Sequence, residues 1–361
     1  MDQRRDVLKA EAQPVTESGS IGSRSPLAPT AAPSAAVFRI TDIGEEAFAG
    51  RRGLARFTPY LYLSPALLTM TIFTFIPVAI TILVAFTDWS LSKFQDPSFI
   101  GIQNFFDLFS GPYAPVFIPA FLWNFAFAAL AAGTQYTVGL FIALLLNHKH
   151  MRETNLYRAL LILPMALPVT LAIVAWQGLL QQSSGQINNV LEAIANGIGI
   201  KDFDRIPFLL DGTLAKSSIV VVGLWFGFPW FMNMCLAALS SIPSELYEAA
   251  HVDGANLWQR FRHVTTPLLL SFTLPLLVAS FAFNFTNFGA VFLLTGGAPP
   301  RPETQWAGET DILISVAYKL LSAPVYRYGL ASAMALMLFV VVGGMALAQI
   351  KGLRLVEEEK K

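Results

Sequence analysis

The chain has 361 residues, of which 54% are hydrophobic and only 13% charged, and its mean hydropathy is +0.54. An average soluble domain carries about 25% charged residues, so the deficit points to a membrane protein and excludes most soluble enzymes. Lys and Arg total 24 against 24 Asp and Glu, a balance that offers neither the basic surplus of a nucleic-acid binder nor the acidity of a disordered solvating chain.

In chain order, residues 1–55 read as a disordered tail. They are rich in Ala, Pro and Ser (Ser25-Pro26-Leu27-Ala28-Pro29, then Pro33-Ser34) and hold no apolar stretch of the signal-peptide type. Six stretches follow that are long and apolar enough to cross a bilayer, which takes about 20 residues. The first lies among the 31 uncharged residues between Arg56 and Asp88, the second within Val116–Leu146 and the third near Ala159–Leu180. The fourth lies near Ser217–Ser241, the fifth runs from about Pro267 to Leu294, and the sixth from about Gly329 to Ile350. Pro77, Pro164, Pro168, Pro229 and Pro275 fall inside them, as membrane helices tolerate. Between the third and fourth spans, Gln186–Ala195 places Ile187, Val190, Leu191 and Ile194 on one helical face, which predicts an interfacial helix; Asp311–Leu321 is a second candidate. The single cysteine, Cys235, lies in an apolar stretch and reads as a small core residue.

Orientation follows from the loops. With the N-terminus inside, the inner segments hold 17 Lys and Arg and the outer loops seven: Lys93, Lys201, Arg205, Lys216, Arg301, Lys319 and Arg327. The excess of inner positive charge predicts that both termini are cytoplasmic.

No ionisable side chain is expected in the central part of any span, which argues against a proton relay. The chain has no G-x-x-x-x-G-K-[ST] phosphate loop, so any dependence on ATP must come from a partner. The fifth span contains Ser280-Phe281-Ala282-Phe283-Asn284-Phe285-Thr286-Asn287-Phe288. At this spacing Asn284 and Asn287 share a helical face, with Ser280 one turn before. An amide in hydrocarbon needs a partner. Two readings are open: hydrogen-bonding glue between helices, or a sugar site in which amides bridge vicinal hydroxyls and aromatic faces cover the ring. The fourth span holds Trp225-Phe226-Gly227-Phe228-Pro229-Trp230-Phe231. This is either an aromatic belt at the membrane surface or a stretch loosened by Gly227 and Pro229 that faces a cavity.

Between the fourth and fifth spans, Ser244–His263 reads as two short helices separated by a turn at Asp253-Gly254, with Ser244 as the candidate N-cap. Such a pair on a short inner loop is shaped to dock in another protein's groove. Glu248-Ala249-Ala250, Asp253-Gly254-Ala255 and then Val264-x-x-Pro267 resemble the EAA loop of ABC importer permeases, E-A-A-x-x-D-G-A followed by I-x-L-P, with Val264 for the usual Ile and Thr266 for the usual Leu. The resemblance extends over about residues 56–354 and is strongest to the MalF-type permeases of maltose/maltodextrin transporters. Ser280–Phe288 is similar to their S-F-A-F-N-F-x-N-F stretch. Trp225–Trp230 is similar to W-L-G-Y-P-Y, with Phe226, Phe228 and Trp230 replacing Leu, Tyr and Tyr. Gly296-Gly297-x-Pro299 and Gly308-Glu309-Thr310-Asp311 look like the outer loop that follows.

This resemblance implies an all-α, six-span type I importer permease in a bacterial cytoplasmic membrane: one permease domain over 56–354 with its coupling loop at 242–267, and a charged C-terminus at 355–361. It implies that Glu248, Ala249, Ala250, Asp253, Gly254 and Ala255 form the coupling helix that seats in a cleft of the ATP-hydrolysing subunit, Glu248 pairing with a basic group there. It implies that Phe226, Gly227, Trp230, Ser280, Phe283, Asn284 and Asn287 line a midmembrane sugar site. The chain would then be no enzyme and hold no cofactor or metal, ATP and Mg being bound by the partner. The implied partners are a second homologous permease, a dimer of ATP-binding subunits, an extracytoplasmic sugar-binding protein and membrane lipid. The implied substrate is a maltodextrin-type sugar, with trehalose or a related glucoside as the alternative. A phosphate ester would call for Arg or Lys in the spans, and a stand-alone carrier would leave the loop spacing unexplained.

Overall fold

The computed structural model describes residues 58–147, 153–302, 304–322 and 324–358. The tail expected at 1–55 and the last residues of the charged C-terminus lie outside them. The chain divides into a unit that ends at Leu67 and one that begins at Leu68; the described part of the first is helical.

Helix α1 (Thr58–Met70), a π turn (Thr71–Phe75) and α2 (Ile76–Ala85) form the first span, Pro59–Ala85, whose most apolar stretch holds no buried residue. The π turn has a local cause. Pro77 lacks the N–H that would bond the carbonyl of Phe73, and the turn ahead of it widens. The same pairing recurs later, where the π turn Phe261–Thr265 precedes Pro267. Beyond α2 the chain turns at Asp88, which pairs with Lys93 and accepts a hydrogen bond from the Ser98 amide at 2.7 Å. The Lys93 bond first, then the Ser98 amide, holds the Asp88 carboxyl below the usual carboxylate range. These contacts therefore persist through that range and are lost only as pH falls below it, through the lowered pKa of Asp88.

After the short helix α3 (Gln103–Phe109) comes α4 (Ala114–Leu146), the central element. It buries Ala120, Phe127, Ala128, Ala131, Ala132, Gln135, Gly139 and Ala143, a face of small residues that lets other helices approach closely. The main partner is α8 (Gly212–Ser240). At their crossing a Cβ on Gly139 would lie 2.6 Å from Phe231 Cβ and 2.8 Å from the Met232 nitrogen, so only glycine fits without moving α8.

The third span, expected near 159–180, is broken. It is two helices, α5 (Thr154–Ala166) and α6 (Val169–Leu179), bent by 89°. Leu167 is extended (ψ 146) because the ring of Pro168 disfavours the helical conformation in the residue before it. Because α5 starts at Thr154, it also carries Arg158, which the sequence reading left in the loop. Arg158 donates from Nε to Asn233 Oδ1 on α8 at 3.1 Å. The amphipathic segment becomes α7 (Gln186–Gly197). It buries Asn188 and Ala195 against the protein and leaves Val190 and Ile194 exposed.

Helix α8 runs unbroken through Gly227 and Pro229. One missing N–H is tolerated inside a helix held by neighbours on both sides. The loop helices α9 (Ser244–Val252) and α10 (Leu257–Arg260) follow, then α11 (Thr266–Phe285). The fifth span stops at Phe285 rather than continuing to Leu294. After a break at Thr286-Asn287, α12 (Phe288–Thr295) leads into the hairpin of β1 (Pro300–Arg301) and β2 (Thr304–Gly308), then α13 (Leu313–Leu320). The last helix, α14 (Tyr328–Glu358), holds the sixth span at Tyr328–Lys351, close to the expected bounds, and continues beyond it. Among the described residues, five helices are long and apolar enough to cross a membrane, and the bent pair makes six.

Asn124 ties the break to the hairpin end of the bundle. Fully buried on α4, it donates from Nδ2 to the Phe285 carbonyl at 2.9 Å and accepts from the Leu313 amide at 2.8 Å. Asn124→Leu would strand two buried backbone groups. The expected loss is about 2–6 kcal/mol at about 1–3 kcal/mol for each. It should be read as a lower melting temperature of the purified protein and a lower amount in the membrane; an unchanged melting temperature would contradict this role.

Candidate functional site

Halfway along α8 and α4, a cavity of about 260 Å³ opens between α4, α6, α8, α11 and α12. All seven residues that the sequence reading put at a sugar site line it: Phe226, Gly227 and Trp230 from α8, Ser280, Phe283 and Asn284 from α11, and Asn287 from the break before α12. The aromatic cluster of the fourth span thus sits in mid-helix, with Phe226 and Trp230 on the cavity. Phe226 meets Trp225 edge-on at 4.9 Å, and Trp230 meets Phe231 at 4.8 Å.

Asn284 and Asn287 do not share a helical face, because α11 ends between them. Asn287 is the N-cap of α12, and its Oδ1 accepts from the Ala290 amide at 3.2 Å, which suits asparagine's preference for that position. Asn284 stays on α11 and is buried. Its Nδ2 donates to the Ser280 carbonyl at 2.9 Å, to Ser280 Oγ at 3.3 Å and to Gln135 Oε1 at 3.5 Å. Gln135, from α4, was missed by the sequence reading. So was the start of α6, where Val169 and Ile173 close one wall. The lining holds amides, one hydroxyl, aromatic rings and aliphatic groups, and none of its residues is ionisable. Chemically the cavity can exchange hydrogen bonds with a neutral polar solute and cover its apolar faces; it has nothing to neutralise a charge.

At the end of the bundle where α8 gives way to α11, α9 and α10 form the second constellation. The helix α9 is entered from Pro243, and Ser244 makes no capping hydrogen bond, contrary to expectation. Its C-terminus explains the spacing of the motif. Gly254 has φ +78, its amide donates to the His251 carbonyl at 3.0 Å, and the Ala255 amide reaches back to the Ala250 carbonyl at 2.9 Å. This is a Schellman ending, in which glycine supplies the left-handed residue and small residues five apart close over it. Asn256 then starts α10 with a capping box to Gln259, a signal the sequence reading overlooked. Glu248 is exposed on the rim of a groove of about 600 Å³ lined by Tyr247, His251, Leu257 and Arg260. It has no ion-pair partner among the described residues. Ala249, Ala250, Asp253 and Ala255 lie on the same exposed loop, whose apolar Val252, Leu257 and Trp258 are 87%, 78% and 65% exposed.

A bundle of membrane-crossing helices that encloses an uncharged cavity, with an exposed helix pair at one end, is the build of a transport permease. The comparisons give the family. Residues 135–350 match the binding-protein-dependent transport system inner membrane component family, and the chain belongs to it. Among its relatives, the maltodextrin transport system permease protein MalC of Streptococcus pneumoniae is 32% identical over 308 residues, which is 83% of this chain and 70% of MalC. The maltose/maltodextrin transport system permease protein MalF of Vibrio parahaemolyticus is 40% identical over 238 residues, 65% of this chain and 44% of MalF. The maltodextrin permease MdxF of Bacillus subtilis is 31% identical over 81% of this chain and 68% of its own length. Among solved structures, a chain of a bacterial ABC transporter that imports the acidic polysaccharide alginate superposes with a TM-score of 0.66 at 23% identity, covering 86% of this chain and 98% of that one. It shares the fold.

Proposed function

We propose that the chain is one of two permease subunits of an ATP-driven importer for a neutral, maltodextrin-type oligosaccharide. The observation that carries this reading is the cavity. Every residue that the MalF-type resemblance implies at the sugar site converges on it, its lining is free of charge, and 31–40% identity links the chain to maltodextrin permeases. The solute passes through by alternating access. Hydroxyls exchange water for the amides of Asn284 and Asn287 and the hydroxyl of Ser280, and Phe226, Trp230 and Phe283 cover the apolar ring faces. No reaction takes place in this chain. A dimer of ATP-binding subunits closes on the cytoplasmic side, and α9–α10 transmits the closure as a rigid-body movement. Glu248 meets a basic group of the ATPase, and Val252, Leu257 and Trp258 fill its cleft. An extracytoplasmic binding protein delivers the sugar at the opposite end, with both termini of this chain in the cytoplasm.

Substrate class is tested by uptake into vesicles that hold the complete complex, with maltotriose, trehalose and an acidic trisaccharide offered in competition. Maltotriose should enter and the acidic sugar should neither enter nor compete, because a carboxylate in the cavity would have no cation to meet. Preferential entry of the acidic sugar would overturn the neutral-solute reading. Preferential entry of trehalose would move the substrate to the shorter glucosides.

A further inference from the structure

The cavity contains a residue that neither the motif nor the resemblance assigns. Gln135 enters it from α4, 149 positions away from Asn284 in the chain, and is only 6% exposed. A glutamine amide offers two N–H donors and an oxygen with two lone pairs. Here Nε2 donates one hydrogen to the Gly223 carbonyl at 3.0 Å, and Oε1 receives only the long 3.5 Å contact from Asn284. One N–H and most of the acceptor capacity are left unspent beside the cavity. Among the described residues no donor reaches Asn284 Oδ1 either. Two amides, one N–H of Gln135 unspent and the acceptor oxygens of both largely open, thus stand side by side in a space that excludes charge. A sugar hydroxyl both donates and accepts, so a vicinal diol is the group that satisfies such a pair.

Gly227 fixes where the Gln135 amide sits. A Cβ on Gly227 would lie 2.2 Å from Gln135 Cδ and 2.6 Å from its Cγ and Nε2. The absence of a side chain on α8 is the space that the glutamine occupies. The obstruction would fall on the far end of a flexible side chain, so an alanine there displaces the amide rather than the helix.

We propose that Gln135 is a sugar ligand that works as a pair with Asn284, and that Gly227 serves to seat Gln135 rather than to touch the sugar. The inference rests on the importer reading above and assigns it a specificity residue on a third helix. Gln135 joins α4 to both α8 and α11, so the sugar that exchanges for the 3.5 Å amide contact meets the three helices that must part for passage.

The test uses the complete complex in vesicles, with maltotriose and saturating binding protein. It compares Gln135→Ala, Gly227→Ala and the double variant by sugar imported per ATP hydrolysed, each corrected for the amount of permease present. A ligand role lowers this ratio about tenfold in Gln135→Ala, the loss of one to two hydrogen bonds at about 1 kcal/mol each. Gly227→Ala should lower it about as much, and the double variant no further, since both remove the same amide from the same place. A role confined to helix packing would lower the amount of complex and leave the ratio untouched, which overturns the proposal. A double variant that falls to the product of the two single effects overturns the seating role of Gly227. If the unaltered complex imports no maltotriose, the sugar reading itself fails and the proposal falls with it; import by the unaltered complex with an unaffected Gln135→Ala sinks the proposal alone.

Discussion

Gly254→Val is expected to cut uptake at least about tenfold while the protein reaches the membrane in normal amount. The residue has φ +78, where a side chain with a Cβ costs about 1–2 kcal/mol and a β-branched one more. No heavy atom lies within 4 Å of where its Cβ would stand, so the whole cost is conformational and falls on the turn, not on the bundle. Relieving it means giving up the left-handed residue, and with it the Gly254–His251 and Ala255–Ala250 hydrogen bonds. The two short helices would then no longer present Glu248, Val252 and Leu257 as one surface. Gly254→Asn, which tolerates the left-handed region, should retain most uptake. The check is sugar uptake and ATP hydrolysis stimulated by loaded binding protein, beside an immunoblot of the membrane. Normal uptake by Gly254→Val would remove α9–α10 from the coupling path.

Asn284→Ala should lower uptake about thirtyfold, the equivalent of about 2 kcal/mol for two hydrogen bonds lost to the solute. The local fold has little to lose. The Nδ2 contacts of Asn284 run chiefly to Ser280 on its own helix, and the Ser280 carbonyl already accepts the backbone bond of α11. Asn287→Ala differs because it also removes the cap of α12, worth about 1 kcal/mol. It should therefore lower thermal stability as well as uptake. If both variants transport at the normal rate, the two amides serve only to hold helices together.

The large features of the molecule were legible because each rests on local chemistry. Runs of uncharged residues marked the spans, and Asp253-Gly254 marked the turn that ends α9. What the sequence concealed was contact between distant segments. Gln135 is a lone amide amid apolar residues, and the argument applied to Asn284, that an amide in hydrocarbon needs a partner, applies to it equally. Its partner Gly223 lies 88 positions away, so nothing local pointed to it. Asn284 and Asn287 were put on one face by a periodicity that holds only while the helix continues. Asn287 favours the role of cap, and that preference ends α11 between them. The bend at Leu167-Pro168 was a missed signal of the opposite kind. The residue before proline is pushed out of helical conformation, and the two halves of the third span diverge from that point.

The central claim is that this chain carries a neutral sugar only when driven by a partner's ATP hydrolysis. The most direct measurement is maltotriose entry into vesicles that contain both permeases and the ATP-binding subunits, with loaded binding protein outside and ATP or its non-hydrolysable analogue inside. Entry should require hydrolysable ATP and all the subunits, and should stop with the analogue. Steady entry through the permeases alone, without ATP-binding subunits or ATP, would contradict the account and make the chain a self-sufficient carrier.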